Sequence, residues 1–422
     1  MQRYEINDVF GLSRELPLNY IERSDVDNKL RQELKAQKHI VIYGSSKQGK
    51  TCVRKHCIES SDYILVQCSN RSDVSELNAS ILKRAGFEIT QSTKKGMTGK
   101  LKIIASLKAT VLGIGASVGG EEENSTSSEL VKAPLEIDVD DVNDVIAALK
   151  SINFKKIIVL EDFHYMPFET QRDFSIALKA FHESSEITFV IVGVWLEDNR
   201  LIVYNGDLTG RIISVNADKW SSAELTQAID EGGNLLNIKF SDKFKEDVIT
   251  HCLNSVYLVQ EACRRACIMS DINQTQENSV EIGNGLDGKE IIASIVSDQS
   301  ARYNSFLLNF SEGFQDTELQ MHKWILHPVL CASIEQLELG LKFKDIRAAL
   351  QAIHPRGEKL NLGNVTQSLQ STASLQIKKN IMPIILDYDQ TNRKLNVVDK
   401  GFLIWLQHQD VNKLKNDLDL PL

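Results

Sequence analysis

The sequence predicts an α/β protein: a parallel sheet in the first half, then a helical lid region, then a C-terminal winged-helix domain. Short apolar runs rich in β-branched residues alternate with segments of helical periodicity, which is typical of parallel strands joined by crossover helices. The runs are residues 39–43, 63–68, 156–160 and 187–194. The last run is apolar along its whole length, as expected of a central strand that is buried on both faces.

The composition is that of a globular protein with two or three domains: 422 residues, 42% of them hydrophobic and 25% charged. The net charge of -9 argues against a protein that coats nucleic acid over its whole surface, since such binding depends on Lys and Arg. Seven cysteines show neither a disulfide framework nor paired zinc spacing, and we expect a reduced compartment. No signal peptide and no membrane span are predicted, so a cytoplasmic protein is expected.

The strongest motif is GSSKQGKT at residues 44–51, which matches GxxxxGK[ST] in full. It follows the first apolar run and opens a helical segment, so its backbone N–H groups and the positive helix end can face phosphates. We expect Lys50 to bridge the β- and γ-phosphates and Thr51 to bind Mg²⁺. The sequence therefore predicts a P-loop NTPase core that binds ATP and Mg²⁺. The predicted nucleotide-binding residues are Gly44, Ser45, Ser46, Lys47, Gln48, Gly49, Lys50, Thr51 and Cys52.

Two acids, Glu161 and Asp162, follow the apolar run that begins at residue 156. A carboxylate at the end of a neighbouring strand is needed to hold Mg²⁺ and to polarise water. If strand alternation continues, Glu161 takes the metal position and Asp162 the base position. The shorter Asp side chain reaches less far, which predicts slow hydrolysis. The metal-binding candidates are thus Thr51, Glu161 and Asp162; the alternative is that the two acids cap the next helix.

These motifs, with the run LEDFHYM at residues 160–166 and Arg211 ahead of a helical lid, resemble the AAA+ and STAND ATPases. The initiator, transposition and bacterial conflict-system ATPases are similar over about residues 20–270. The resemblance implies a homo-oligomer in which Arg211 acts on the γ-phosphate of a neighbouring subunit; a structural salt bridge is the alternative. The implied catalytic residues are Lys50, Glu161, Asp162 and Arg211.

The sequence departs from that family pattern at two places. Gly193 and Val194 occupy the strand end where a polar sensor normally lies, and Tyr257 lies where a second sensor arginine is expected. The resemblance also suggests that Tyr20, Ile21 and Arg23 line the adenine pocket, with simple packing of an N-terminal arm as the alternative.

The patterns divide the chain into four parts. An N-terminal arm and helix precede the ATPase core, which contains an inserted hairpin or loop; a helical lid with a linker and a helical, winged-helix domain follow. The predicted boundaries are residues 1–38, 39–215 with the insertion at 91–135, 216–288 and 289–422.

The C-terminal domain leaves two functions open. Its predicted recognition helix, residues 361–374, has polar residues that can bind base edges but no Arg or Lys, so DNA and protein contact both fit. The polar residues are Asn361, Asn364, Thr366, Gln367 and Gln370. We expect an ATP-dependent switch that assembles and controls a separate partner protein, with antiviral defence as its setting. The alternatives are an ATP-gated DNA-binding initiator or transposition-type loader, and a non-hydrolysing nucleotide-bound scaffold.

Overall fold

The computed structural model describes residues 2–11, 15–95, 101–107, 135–314, 318–357 and 360–422. The strands are β1 (His39–Gly44), β2 (Tyr63–Gln67), β3 (Phe87–Lys95), β4 (Leu101–Leu107), β5 (Leu135–Ile137), β6 (Ile157–Glu161), β7 (Phe189–Val194), β8 (Ile212–Asn216), β9 (Ile238–Phe240), β10 (Val280–Ile282), β11 (Leu341–Lys342), β12 (Leu386–Asp389) and β13 (Lys394–Val397).

The α-helices are α1 (Ile6–Val9), α2 (Lys29–Leu34), α3 (Lys50–Cys57), α4 (Val74–Ala85), α5 (Val142–Ser151), α6 (Phe168–Ser184), α7 (Arg200–Tyr204), α8 (Ser222–Leu236), α9 (Asp242–His251), α10 (Val256–Met269), α11 (Gly288–Ser297), α12 (Ser300–Ser311), α13 (Met321–Cys331), α14 (Ile334–Leu339), α15 (Phe343–Ile353), α16 (Leu362–Gln370), α17 (Thr372–Lys378), α18 (Lys400–Gln407) and α19 (Val411–Asp417). Within the described ranges, none of them has the length and apolar character needed to cross a membrane.

The centre of the fold is a five-stranded parallel sheet in the order β2-β6-β7-β1-β8. Every residue of β1 and β7 is buried, because helices cover both faces of the sheet. The predicted α/β class with a parallel-sheet core is confirmed. In this order the carboxyl ends of β1, β6, β7 and β8 meet at one edge, where a parallel sheet usually holds its ligand.

A second, antiparallel sheet branches from the core between α4 and α5. β3 pairs with β4, with Phe87 opposite Leu107 at one end and Lys95 opposite Leu101 at the other, and β4 pairs with β5. The hairpin or loop predicted for residues 91–135 overlaps these strands, and its parts at residues 96–100 and 108–134 lie outside the described residues.

Helices α8, α9 and α10 form the lid region, together with the parallel pair β9 and β10. A capping box starts α8: the Ser221 hydroxyl accepts from the Glu224 N–H, and the Glu224 carboxylate accepts from the Ser221 N–H at 2.8 Å. Apolar side chains of the lid, of α1 and of the C-terminal helices share one core, whereas each face of the parallel sheet has its own. The lid and the C-terminal part are therefore packed together.

The C-terminal part combines helices α13, α15, α16 and α17 with the antiparallel sheet β11-β13-β12, as predicted for a helix-turn-helix with a wing. β12 and β13 pair from Leu386–Val397 to Asp389–Lys394, and residues 390–393 form the tip of the wing. One helix prediction was wrong in detail: the recognition helix predicted for residues 361–374 breaks at Ser371, between α16 and α17. Residues 288–311 form the two helices α11 and α12, and the backbone turns at Gln299 between them.

Candidate nucleotide site

The turn between β1 and α3 is wound tightly around the start of the helix. Gly44 has φ +148° and Gly49 has φ +80°, in the region that favours glycine. A Cβ on Gly44 would lie 3.1 Å from the backbone nitrogen of Asp218. These two glycines let the turn expose backbone N–H groups at the positive end of α3, which is the geometry that binds phosphate.

Lys50 is buried and folds back over this turn. Its Nζ donates to the Gly44 carbonyl at 3.1 Å and to the Ser45 carbonyl at 2.5 Å. Burial lowers the pKa of Lys50 to about 8, against the opposing effect of Asp218, Asp162 and Glu161. Among the described residues, the ammonium is hydrogen-bonded to these two carbonyls and to no carboxylate, so it is placed to move onto a phosphate.

Glu161 lies at the end of β6, beside the helix that follows the turn. Its Oε2 is 3.4 Å from the Thr51 hydroxyl, and its Oε1 accepts from Arg54 Nε at 2.8 Å. Burial raises the pKa of Glu161, and the ion pair with Arg54 opposes that rise. Thr51 and Glu161, both predicted as metal-binding residues, are therefore brought together, while Arg54 was not foreseen and neutralises the acid.

Asp162 does not continue the strand. Its φ of +57° is left-handed, and its Oδ2 accepts from Gln67 Nε2 at 2.5 Å. Burial raises the pKa of Asp162, and nearby Lys50 opposes this. The alternation assumed for the acid pair is therefore wrong, because β6 ends at Glu161 and the backbone turns at Asp162, which lines the nucleotide cavity. Its role as a base stays a prediction.

Asp218 is a further acid at this edge, which the motif search missed. Its carboxylate accepts from the Ser45 N–H at 2.9 Å and from the Ser45 hydroxyl at 2.8 Å, so it holds the first part of the turn. Asp218 comes two residues after β8. A search for polar residues at the carboxyl ends of all the predicted strands would have found it.

A cavity of about 320 Å³ lies over the turn. The N-terminal arm contributes Tyr20 and Ile21, and the lid contributes Tyr257 and Gln260. Arg23, predicted with them, is instead buried against the Trp220 ring at 4.0 Å and donates to the Ala217 carbonyl at 2.8 Å.

Cys52 lies on the first turn of α3 and lines the same cavity, and burial raises the pKa of its thiol. Lys47 also faces this space, where its ammonium lies 3.9 Å from the centre of the Tyr257 ring. Eight of the nine predicted nucleotide-binding residues belong to the turn and the helix start described here, and the ninth, Cys52, extends that surface.

Arg211 lies at the opposite edge of the sheet. Its carbonyl accepts from the His39 N–H, at the start of β1, whereas the phosphate turn follows the end of β1. Its guanidinium is paired with Glu183 at 2.7 Å and donates to the Asp207 carbonyl. Arg211 therefore does not belong to the nucleotide cavity of its own chain, and a role toward a neighbouring subunit stays a prediction.

The residues at the turn fit a nucleotide triphosphate with Mg²⁺. The positive φ of Gly44 and Gly49 winds the turn around the start of α3, Lys50 supplies positive charge, and Thr51 with Glu161 offers oxygen ligands. Within the described residues no group of three or more His, Cys, Asp or Glu could hold a metal alone. Mg²⁺ in phosphate-transfer sites needs only one or two carboxylates besides phosphate oxygens.

The C-terminal domain touches this site directly. The Ser46 N–H donates to the Val398 carbonyl at 2.8 Å, and Val194 packs with Ile384 and Val398. Pro383 also lines the cavity. The nucleotide site is thus built from four parts of the chain, which the sequence patterns had treated separately.

Buried ion pairs surround this contact. Arg200, on α7, is paired with Asp387 on β12 and with Glu197 at 3.1 Å. The Thr391 hydroxyl of the wing donates to Glu197 at 2.5 Å. Within the C-terminal domain, the partly buried Arg302 is paired with Asp399 at 2.7 Å. The domain contact is therefore held by oriented charges as well as by apolar packing.

Most of the polar residues proposed to read DNA are engaged within the chain. Asn361 caps α16, the Thr366 hydroxyl donates to the Leu362 carbonyl, and Gln370 bonds to Gln390. These contacts use part of the hydrogen-bonding capacity that base recognition would need.

No protein-family model and no curated protein sequence match this chain. Its fold is similar to the Walker-type ATPase paby2304 of Pyrococcus abyssi, with a TM-score of 0.50 and 12% identity over 94% of this chain and 99% of that chain. Aeropyrum pernix ORC1 in complex with DNA matches at a TM-score of 0.44 and 10% identity, over 98% and 97% of the two chains. The Thermotoga maritima RuvB Holliday junction branch migration motor matches at 0.36 and 12%, over 97% and 99%. The chain therefore has the fold of a P-loop, Walker-type ATPase.

Proposed function

We propose that this chain is a molecular switch of the AAA+/STAND type, which binds Mg²⁺-ATP, hydrolyses it slowly and thereby controls the position of its C-terminal domain. The observation that carries the proposal is the hydrogen bond from Ser46, inside the phosphate turn, to Val398 of the C-terminal domain.

Neighbouring residues of the turn contact different domains. Ser46 bonds to the C-terminal domain, and the Lys47 ammonium lies over Tyr257 of the lid. A triphosphate that accepts hydrogen bonds from the backbone N–H groups of this turn must move the turn relative to both contacts. Two sites that bias the same element are coupled, and the coupling is reciprocal. Nucleotide binding and docking of the C-terminal domain should therefore influence each other.

Slow hydrolysis is proposed from the acids. Arg54 neutralises Glu161, Asp162 bonds to Gln67, and Val194 offers no polar group at the end of β7. Bound Mg²⁺ would supply charge neutralisation for the phosphates, held by Thr51 and Glu161. We expect turnover below ~1 s⁻¹, the lower end of ordinary enzymes. Asp162→Asn should keep ATP binding and abolish turnover, measured by calorimetry and by phosphate release.

Hydrogen–deuterium exchange tests the switch. We expect a non-hydrolysable ATP analogue, compared with ADP, to change the exchange of residues 381–398 several-fold. Lys50→Ala should remove the response because it removes nucleotide binding, and Lys83→Ala, an exposed lysine on α4, should behave like wild type. If the analogue binds with calorimetric saturation and exchange at residues 381–398 is the same as with ADP, the switch proposal is wrong.

The proposal has two further parts. The chain assembles into a homo-oligomer in which Arg211 acts on the next subunit, and it controls a separate partner protein. An oligomer with shared sites gives an ATPase rate per subunit that rises with protein concentration. The antiviral setting stays a prediction from the resemblance alone. The rival DNA-binding function predicts duplex binding that weakens steeply with salt.

A further inference from the structure

His164 is buried without a hydrogen-bond partner. Its side chain is 3% exposed, and within the part of the chain that the structure describes neither ring nitrogen has a partner. Its ring lies against that of Tyr165, with the centroids 4.0 Å apart. Buried polar groups are almost always paired, so an imidazole in this state calls for an explanation.

The position of His164 suggests the explanation. It lies in the short turn Phe163–Tyr165, directly after Asp162, and it lines the nucleotide cavity together with Lys50. It also lines a narrow cavity of about 40 Å³ between the core and the C-terminal domain, where Arg200 and Asp387 lie. His164 is therefore in contact with both spaces.

Strand β7 cannot supply a polar group here. A Cβ on Gly193 would lie 1.7 Å from the Trp195 ring, so this position carries no side chain, and Val194 is apolar. Gln171 fixes the turn of His164 from the other side, since its Nε2 donates to the Met166 carbonyl at 2.8 Å. The imidazole is consequently held at the cavity while its nitrogens stay available.

We propose that His164 reads the terminal phosphate of the bound nucleotide, by donating a ring N–H to a γ-phosphate oxygen. This rests on the proposed nucleotide-binding function. ATP offers the imidazole a hydrogen-bond acceptor and ADP does not, so the protein distinguishes the two nucleotides at a residue that also faces the C-terminal domain. Hydrogen bonds to charged groups are among the stronger ones, and they shorten and orient the contact.

The test compares the affinities of the full chain for ADP and for a non-hydrolysable ATP analogue, both with Mg²⁺, by calorimetry. We expect His164→Ala to weaken the ATP analogue about 10-fold while the affinity for ADP is unchanged, as for loss of one hydrogen bond to a charged group. His164→Asn, whose amide can donate, should restore part of the preference. His408→Ala, at an exposed histidine outside the nucleotide cavity, is the matched control, and it should leave the ratio unchanged.

An equal loss of both nucleotides in His164→Ala, or the same change of ratio in His408→Ala, would overturn the proposal. If the alanine variant does not fold, ¹⁵N resonances of the His164 ring in the wild type decide: they should shift with the ATP analogue and not with ADP. A wild type that binds no nucleotide refutes the proposed function itself. A wild type that binds both equally refutes only the role of His164.

Discussion

Two buried glutamines, Gln48 and Gln376, and two buried histidines, His39 and His164, differ in whether their side chains are hydrogen-bonded. Gln376 makes four hydrogen bonds and His39 two, whereas Gln48 and His164 have no partner for their side-chain polar atoms within the described residues. The unpartnered members both line the nucleotide cavity. In these two pairs, the hydrogen-bonded side chains stabilise the fold, and the two without partners lie where a ligand is expected.

The largest effect is expected at the ion pairs between the core and the C-terminal domain. Arg200→Met removes the cation between Asp387 and Glu197 and leaves buried carboxylates unpaired, at a cost of about 4 kcal/mol in the free energy of unfolding. Urea denaturation measures it. Arg172→Met, at an exposed ion pair on α6, is the control and should change stability by under ~1 kcal/mol. Similar losses in both variants would contradict the structural role of the interface.

The two glutamines give the next largest difference. Gln376→Met leaves the backbone N–H groups of Ile385 and Leu386 without their acceptor and should lower the free energy of unfolding by about 3 kcal/mol. Gln48→Met removes an amide that has no partner, so stability should stay level or rise by about 0.5 kcal/mol, while nucleotide affinity falls. Thermal and urea unfolding of both variants measure this contrast. A loss of several kcal/mol for Gln48→Met would show that its amide has a structural partner.

His39 predicts how stability depends on pH. Its Nε2 donates to the Leu178 carbonyl and its Nδ1 accepts from the Phe189 N–H, so the neutral ring is bound, and burial lowers the pKa from 6.5 to about 4. The unfolded chain binds the proton first, so this stabilisation is complete above pH 6.5 and is lost as the pH falls toward 4. It amounts to at most about 3 kcal/mol.

Burial also lowers the pKa of His164, His322 and His327, so the difference between wild type and His39→Gln isolates the contribution of His39. Urea unfolding at pH 7, 6 and 5 should show a flatter dependence in the variant. Parallel curves would show that the ring is not bound as a neutral group.

The smallest effect on stability is expected at Arg211. Its pair with Glu183 is half-exposed, so Arg211→Met should change the free energy of unfolding by under ~1 kcal/mol. If Arg211 acts on the next subunit, the same variant loses most of the concentration-dependent ATPase rate. Glu183→Gln breaks the same ion pair but keeps the arginine, and should retain that rate. Equal rates for both variants and wild type would contradict a role of Arg211 in the next subunit, and its function would then be the ion pair with Glu183.

Local patterns predicted much of this fold. The parallel strands and the phosphate turn each depend on residues close together in the chain. The position of Asp218, the pairing of Arg54 with Glu161 and the contact of Ser46 with Val398 join residues far apart, and no periodicity encodes them. The left-handed backbone of Asp162 was missed because strand alternation was extended one residue too far.

The left-handed backbone of Asp162 limits which substitutions at this position can be interpreted. Asparagine and glycine adopt a φ near +57° at little cost, whereas alanine pays a modest penalty and valine or isoleucine a severe one. A bulky replacement of Asp162 would bend the segment that carries His164 and would imitate a defect in phosphate recognition. Asp162→Asn is therefore the informative variant. A defect seen only with β-branched replacements would result from a distorted backbone and not from loss of the carboxylate.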